Sequence, residues 1–364
     1  MRAPSLLAFG AAALLGCAAA PTTPSFVAAP VGSLAAQISK VEAPEPPAAT
    51  AAADPAPSPP AEAPRRAAPE PPFPPPAFAP PLARTARPGD GVWSPMAGPG
   101  AELLYRTTVH PDAIKPQVAV AVVAIDLRGV DLRLVAGTLE PLSATVPDAH
   151  RPGVIPGADL PGLLAVFNGG FMTRHGAWGM MIAGEVFLPA REDGCTVALY
   201  RDGAVRVRTL PALGGAAADL LAYRQTPPCL VEQGAVQEAL LGGDKPRRWG
   251  LSETGGVDIR RSALGLAEGG RTLLYGLGEW ITPRALAEAM RAAGAVDAAQ
   301  LDVNWSFTRF LLYGKPASPS SPPEVAETLI PKLKHAHRQY VIKPSERDFF
   351  YLARKAQPSK SSAR

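Results

Sequence analysis

Proline decides where this chain can fold. Residues 18–100 hold 22 of its 43 prolines, together with 23 alanines. Runs such as Pro55-Ala56-Pro57-Ser58-Pro59-Pro60 and Pro71-Pro72-Phe73-Pro74-Pro75-Pro76 fix φ and remove backbone donors, so neither a helix nor a sheet ladder can be built from them. Composition therefore divides the 364 residues into a disordered Pro/Ala-rich linker at 18–100, one globular domain at 101–345 and a basic tail at 346–364. A domain of about 245 residues is within the reach of a single hydrophobic core.

The first 17 residues read as a targeting segment. Met1-Arg2 gives a positive start, and the apolar run from Ser5 to Leu15 is too short to span a bilayer. The run closes on Leu14-Leu15-Gly16-Cys17, which resembles a bacterial lipoprotein signal with Cys17 as the lipidated residue. An ordinary signal peptide with an incidental cysteine is the other reading. By the same resemblance, Ala18 after the cysteine implies outer-membrane sorting, with the domain facing the periplasm or the exterior. At ~3.1 Å per residue, an extended proline-rich arm would hold it on the order of 100–200 Å from the anchor.

Within the domain the apolar pattern is mostly of strand type. Val118 to Asp126 is a β-branched run and Val130 to Ala136 alternates apolar with charged, which predicts a hairpin through Arg128-Gly129. Ala183-Gly184 and Asp202-Gly203 mark two further tight turns. Thr282 as N-cap, Pro283 behind it and Leu286, Ala289, Met290 and Ala293 at helical spacing predict a helix stopped by Gly294. A second helix is expected over Ala216 to Tyr223. The fold class expected is α+β, a mixed, largely antiparallel sheet with a few packed helices in a single domain. The first helix lies between strands expected at Thr272–Leu277 and Ala299–Asp302, so a crossover would deliver Asp302 to a carboxyl strand end, where ligand sites concentrate.

Two polar clusters stand out at strand ends. The buried-strand pattern Leu163-Leu164-Ala165-Val166-Phe167 delivers Asn168-Gly169-Gly170-Phe171, and about 130 residues later comes Leu301-Asp302-Val303-Asn304-Trp305-Ser306. Together with Gln225-Thr226-Pro227-Pro228-Cys229-Leu230-Val231 and Arg261-Ser262-Ala263-Leu264-Gly265, this order and spacing resembles the phosphodiester glycosidase family over residues 103–315. That family includes the lysosomal uncovering enzyme, which removes N-acetylglucosamine from a sugar phosphodiester, and bacterial relatives associated with exopolysaccharide. The resemblance implies a hydrolase acting on a sugar 1-phosphodiester. The chain departs from the family in two places. Where members carry Asp-Gly-Gly-Gly-Ser, Asp302 and Ser306 stand in register but Val303, Asn304 and Trp305 replace the glycines, and Pro227 stands where glycine is usual. A glycine loop turns its N–H groups toward an anion more readily than these residues do.

Residue chemistry proposes roles beside the bland ones. Asp302 is a carboxylate suited to the anomeric carbon, since glycoside cleavage needs carboxyl groups about an oxocarbenium-like centre, or else it caps its own turn. Asn168 offers a donor and an acceptor to sugar hydroxyls, or serves a turn. Arg261 carries the planar fork that suits phosphate or carboxylate, whereas Arg260 and Asp258 read as a solvated charged loop. These three, Asp302, Asn168 and Arg261, form the expected catalytic set. Gly169, Gly170, Gln225, Asn304, Ser306, Trp305 and His175 form the expected substrate-binding set, His175 as a titrating acid or a plain loop residue, and Trp305, Trp178 and Trp280 as stacking faces or core.

Net charge is +4 with a pI near 9.0, and no basic stripe is interleaved with aromatics, which argues against nucleic acid as a partner. Carbohydrate and a membrane, through the lipid anchor, are the partners expected, with no cofactor. No Cys/His spacing suggests zinc, and Asp302 with Asn304 supplies too few oxygens for a metal. Cys195 and Cys229 remain after Cys17, either as a disulfide in an oxidising compartment or as two buried hydrophobes. The functional expectation is an envelope lipoprotein that hydrolyses a sugar 1-phosphodiester or related glycan linkage. Its alternative is a non-catalytic glycan-binding lipoprotein that keeps the fold.

Overall fold

The run Val120-Ala-Val-Val-Ala-Ile-Asp126 sends successive side chains to opposite faces of a strand. Val123 and Ile125 enter one buried cluster, Val122 and Ala124 another, so both faces are covered and the run is continuously apolar. The computed structural model describes residues 71–214, 217–242, 246–318 and 321–356. Cys17 and the arm before residue 71 lie outside the described residues, which all belong to one compact unit.

In chain order the first strands are β1 (Ser94–Pro95), β2 (Leu104–Val109), β3 (Val120–Asp126), β4 (Val130–Val135), β5 (Leu163–Asn168), β6 (Met180–Ile182), β7 (Glu185–Leu188), β8 (Cys195–Tyr200), β9 (Val205–Thr209) and β10 (Leu220–Thr226). After them come β11 (Val231–Glu232), β12 (Ala235–Val236), β13 (Ile259–Ala267), β14 (Thr272–Ile281), β15 (Ala295–Gln300), β16 (Phe310–Tyr313), β17 (Val325–Thr328) and β18 (Phe349–Arg354). They form an eight-stranded sheet, β1-β2-β3-β14-β13-β15-β11-β12, and two five-stranded sheets, β7-β6-β10-β8-β9 and β17-β16-β5-β18-β4. Paired strands within them run antiparallel. The main core joins Leu264 and Tyr275 of the large sheet, Phe167 and Phe350 of one smaller sheet and Val197 of the other.

The fold is therefore mostly β, with less helix than a balanced α+β domain. Among the described residues the one α-helix is α1 (Pro283–Ala292), where Thr282 Oγ1 accepts from Ala285 N at 3.1 Å. Its Leu286 and Met290 pack on the large sheet with Val120 and Leu274. The second helix expected at 216–223 is instead a short 3-10 turn followed by β10. The ladders to β6 and β8 on either side of β10 outweigh local helix propensity. The helix α1 joins β14 to β15, and both run antiparallel to β13 between them, so the two are parallel and Asp302 follows the carboxyl end of β15 as expected.

Three other boundaries differ from the sequence reading. β3 and β4 do not make a hairpin: β3 pairs with β2 and β14, β4 with β18, because Leu127-Arg128-Gly129 carries the chain from one sheet to another. The domain also starts before residue 101. Phe73 meets Tyr105 edge-on at 5.6 Å, Phe78 lies against Trp93, and the buried Asp90 hydrogen-bonds His110 Nδ1 at 2.9 Å, so sparse aromatics dock a stretch whose prolines read as linker. At the other end, the stretch read as a basic tail contains β18, whose Phe349-Phe350-Tyr351-Leu352-Ala353 is buried and paired on both sides.

The turns at Ala183-Gly184 and Asp202-Gly203 form as expected, joining β6 to β7 and β8 to β9. Cys195 and Cys229 are disulfide-bonded, tying the start of β8 to the segment before β11. Closing a 34-residue separation contributes about 3–4 kcal/mol on a chain-entropy account.

Candidate functional site

The Asn168-Gly169-Gly170-Phe171 turn is held from β18 and β10. Gly169 N donates to Asp348 O at 3.1 Å and Gly170 N to Asp348 Oδ2 at 2.8 Å. The same carboxylate takes Arg224 Nε at 2.9 Å and Nη2 at 3.2 Å, with both side chains fully buried. A Cβ on Gly169 would fall 2.0 Å from Asp348 Oδ2 and one on Gly170 2.5 Å from Arg224 Cζ. The two glycines thus admit an ion pair to the backbone, where the sequence suggested a ligand. Arg224 directs its remaining donors to Phe171 O (2.6 Å), Trp178 O (2.8 Å) and Gln225 O (3.0 Å).

Three expected functional residues are likewise committed to the fold. Asn168 Oδ1 accepts from Ser262 Oγ at 3.1 Å and Tyr275 Oη at 3.0 Å, and its Nδ2 donates to Asp302 O at 3.2 Å. It ties β5 to the loop after β15, and its amide is fully engaged. Arg261 donates Nε to Ile281 O, Nη1 to Trp249 O and Gln300 Oε1, and Nη2 to Gly250 O and Val257 O. All five donors are used on neutral acceptors, and burial pushes the guanidinium pKa down to about 9, with Asp258 pulling the other way. Gln225 accepts from Gly179 N and Arg191 N, and donates to Arg191 O and Thr196 Oγ1. Arg261 is therefore not a free anion clamp, nor is Gln225 a free ligand for substrate.

Asp302 behaves differently. Its Oδ1 accepts from Val303 N at 2.9 Å and from Asn304 N, closing the turn, while Oδ2 is buried and has no hydrogen-bond partner. Burial raises its pKa to about 6; the Arg347 charge works against this and the Asp348 charge with it. Arg347 is itself buried, lies over the Phe307 ring at 4.9 Å and leaves Nη1 unpartnered. A buried carboxylate oxygen and a buried guanidinium nitrogen, close enough to feel one another's charge, are thus both bare. His175 is exposed and feels the Arg347 charge. Partial burial lowers its pKa first, then Arg174 and Arg347, and its Nε2 accepts from Arg174 Nε at 3.2 Å. These are the properties of a neutral loop histidine, unsuited to general acid work.

The rest of the late cluster turns outward. Asn304 Oδ1 accepts from Ser306 N at 3.0 Å, so Asn304 shapes the loop. Ser306 and the half-exposed Trp305 border a cavity of about 450 Å³ together with Arg260, Arg309, Lys332, Lys334 and Lys343. Arg260, expected in a solvated loop, is buried: it stacks on Trp305 at 3.6 Å, donates to Trp305 O at 2.9 Å and pairs with Glu279. Asp258 pairs with Lys115 at the surface. Trp280 stands exposed 6.0 Å from Trp305, whereas Trp178 is buried with Arg191 over its ring.

Arg347, Asp348 and Arg224 went unread in the sequence. Arg224 could have been noticed as the one charge in Leu220-Leu-Ala-Tyr-Arg-Gln-Thr226, and Arg347-Asp348 as the polar pair opening the apolar run from Phe349. Among the described residues no group of three or more His, Cys, Asp or Glu side chains is placed to hold a metal ion.

No family model matches the chain, and no curated protein matches it. Among solved structures it is similar to the auto-inhibited catalytic domain of zebrafish N-acetylglucosamine-1-phosphodiester alpha-N-acetylglucosaminidase. The identity is 14%, over 70% of this chain and 82% of that one, with a TM-score of 0.42. It is also similar to a hypothetical protein from Synechocystis, at 12% identity and a TM-score of 0.37, over 70% of this chain and 62% of that one. Both are distant likenesses of fold.

Proposed function

We propose that the domain hydrolyses a sugar 1-phosphodiester, or a related anionic linkage of an envelope glycan, at the centre formed by Asp302 and Arg347. The observation that carries this reading is the pair of bare buried atoms, Asp302 Oδ2 and Arg347 Nη1. A polar atom buried without a partner costs about 1–3 kcal/mol, which a substrate that satisfies both would return. A phosphate ester is a good leaving group and needs little help from an acid. The step needs a base for water and a cation for the departing oxygens. Asp302 takes a proton from water, the water oxygen bonds to the anomeric carbon, and the carbon–oxygen bond to phosphate breaks, its electron pair leaving on the phosphate beside Arg347. The motif order that resembles phosphodiester glycosidases supports the same reading.

The test is release of sugar from a panel of sugar phosphodiesters by the full chain, beside Asp302→Asn. Turnover that vanishes in the variant is expected, with kcat/KM falling as the pH drops below about 6, where Asp302 becomes protonated. A folded wild-type chain that releases nothing across the panel overturns hydrolysis. It would favour the second reading, a glycan-binding protein, which rests on Asn168 and Arg261 being committed to the fold and on Val303-Asn304-Trp305 filling the glycine positions. Under either reading the chain is proposed to be exported and held at the outer membrane through Cys17, so that Cys17→Ser should move it from the membrane fraction to the soluble one.

A further inference from the structure

We propose that the cavity bordered by Arg260, Arg309, Lys332, Lys334, Lys343 and Trp305 is a separate binding site for a glycan carrying several closely spaced anionic groups. Five cations share a space of about 450 Å³, and among the described residues no carboxylate lines it. Glu279 answers Arg260, and Arg309 donates to the Ser306 carbonyl. Among the described residues no ion pair is formed there by Lys332, Lys334 or Lys343. The four charges that no carboxylate answers repel each other in one concavity, which destabilises the fold unless an anion is bound. A single phosphate would meet only part of this field. Several anionic groups at short spacing would meet it all.

Shape and aromatic content favour a glycan over a membrane surface or a nucleic acid. The charges line a cavity, where a lipid surface would call for a flat or convex face. Trp305, which lines the cavity, is 50% exposed, and Trp280, 60% exposed, lies tilted against it at 6.0 Å. Arg260 fixes the Trp305 ring from one side at 3.6 Å. Two fixed, exposed rings beside a cationic cavity offer apolar faces to pyranose C–H groups while the lysines take the anions. Lys332 and Trp280 both hold left-handed backbone, with φ of 63° and 57°, a conformation that branched and bulky residues keep only where the surroundings enforce it. The cavity takes Trp305, Ser306, Thr308 and Arg309 from the loop that follows Asp302, and neither Asp302 nor Arg347 lines it, so the site goes beyond the proposed hydrolysis and does not require it.

The experiment measures binding to the full chain by titration calorimetry with four probes: a phosphomannan, polygalacturonate, uncharged dextran and vesicles of phosphatidylglycerol. Phosphomannan and polygalacturonate separate phosphate from carboxylate as the anion. Either or both should bind, with affinity falling as salt rises, and dextran should not. The surface pair Lys334→Glu/Lys343→Glu should weaken binding by about tenfold or more. Trp305→Ala should weaken glycan binding without changing the thermal midpoint. Asp302→Asn should abolish turnover and leave this affinity intact, and a wild-type chain that binds the polyanion yet releases no sugar would sink only the function proposed above. Equal binding of dextran, binding of vesicles alone, indifference to the lysine pair, or no binding of any probe would each overturn the site.

Discussion

Arg261 and Arg347 are both buried guanidinium groups, and they stand in two kinds of surroundings. Arg261 belongs to a region where the polar groups, Trp178 Nε1 apart, are answered: its five donors, the Asn168 amide, the Gln225 amide and the Arg224–Asp348 pair close on carbonyls, amides and one another. Arg347 belongs to a region where they are not, beside a carboxylate with one oxygen bare. The residue types are the same in both. The difference teaches that the chemistry open to a buried polar side chain is read from what remains after the fold has taken its share. Saturated polar residues hold the site's walls, and unsaturated ones are left for a ligand.

That contrast breaks first, and hardest, at Asp348. Asp348→Asn removes the charge that Arg224 is buried against and should cost about 3–5 kcal/mol, because an uncompensated buried cation remains. Urea unfolding would read it, and a loss under about 1 kcal/mol would show that Arg224 does not depend on the pair. Next comes Gln225→Met, of similar volume, which strands Gly179 N, Arg191 N and Arg191 O together. A loss of about 2–4 kcal/mol is expected, two or three unmet groups at the usual penalty. Little change there would mean that water replaces the amide and that this region is less closed than its hydrogen bonds imply.

At Asp302 the expected sign reverses. The folded carboxyl holds its proton to about pH 6 against an ordinary value of 3.8. Between those values the unfolded chain has released the proton and the folded one has not, so stability falls as pH rises through the window. At about 1.4 kcal/mol per pH unit between the two values, the ionised form costs the fold up to about 3 kcal/mol above pH 6. Asp302→Asn removes that cost while keeping an oxygen for the Val303 N–H. We expect a gain of about 1–2 kcal/mol near pH 7.5, less near pH 4, together with the loss of turnover. If Asp302→Asn instead destabilised the protein at that higher pH as Asp348→Asn does, the two regions would be one.

Much of the architecture was legible because it rests on apolar periodicity. The runs around Val122, Val166 and Leu274, the α1 cap at Thr282 and the two Gly-bearing hairpins needed no partner to be recognised. Polar roles were not legible in the same way. Asn168, Gln225 and Arg261 stand out as strand-end polar residues, but a sequence does not show whether such a residue meets a ligand or a distant carbonyl. Asp302 and Asn304 pair by spacing, yet of the two only Asp302 keeps a buried atom without a partner. Charge composition hid Arg347 and Asp348, because the lysines and arginines near the end made the whole stretch look like a tail. Prolines hid the opposite end, where Phe73, Phe78 and Trp93 dock on a surface that only the fold creates.

The smallest effect probes the same rule in its mildest form. Trp178 Nε1 is a neutral buried donor without a partner, although the ring itself packs with Arg191 at 4.7 Å. Arg224 holds the backbone carbonyl of Trp178 itself, so this residue belongs to the saturated side of the molecule and its bare donor is an exception within its own region. Trp178→Phe deletes the unmet donor and keeps an aromatic face for Arg191, but leaves a small void where the larger ring was. A gain of about 1 kcal/mol or more from removing the donor then sets against a comparable packing loss, and the net change should stay within about 1 kcal/mol in urea unfolding. A loss of about 3 kcal/mol or more would mean either that the donor is answered or that packing alone governs this position. In both cases the bare atoms of Asp302 and Arg347 would need evidence of their own before being assigned to a ligand.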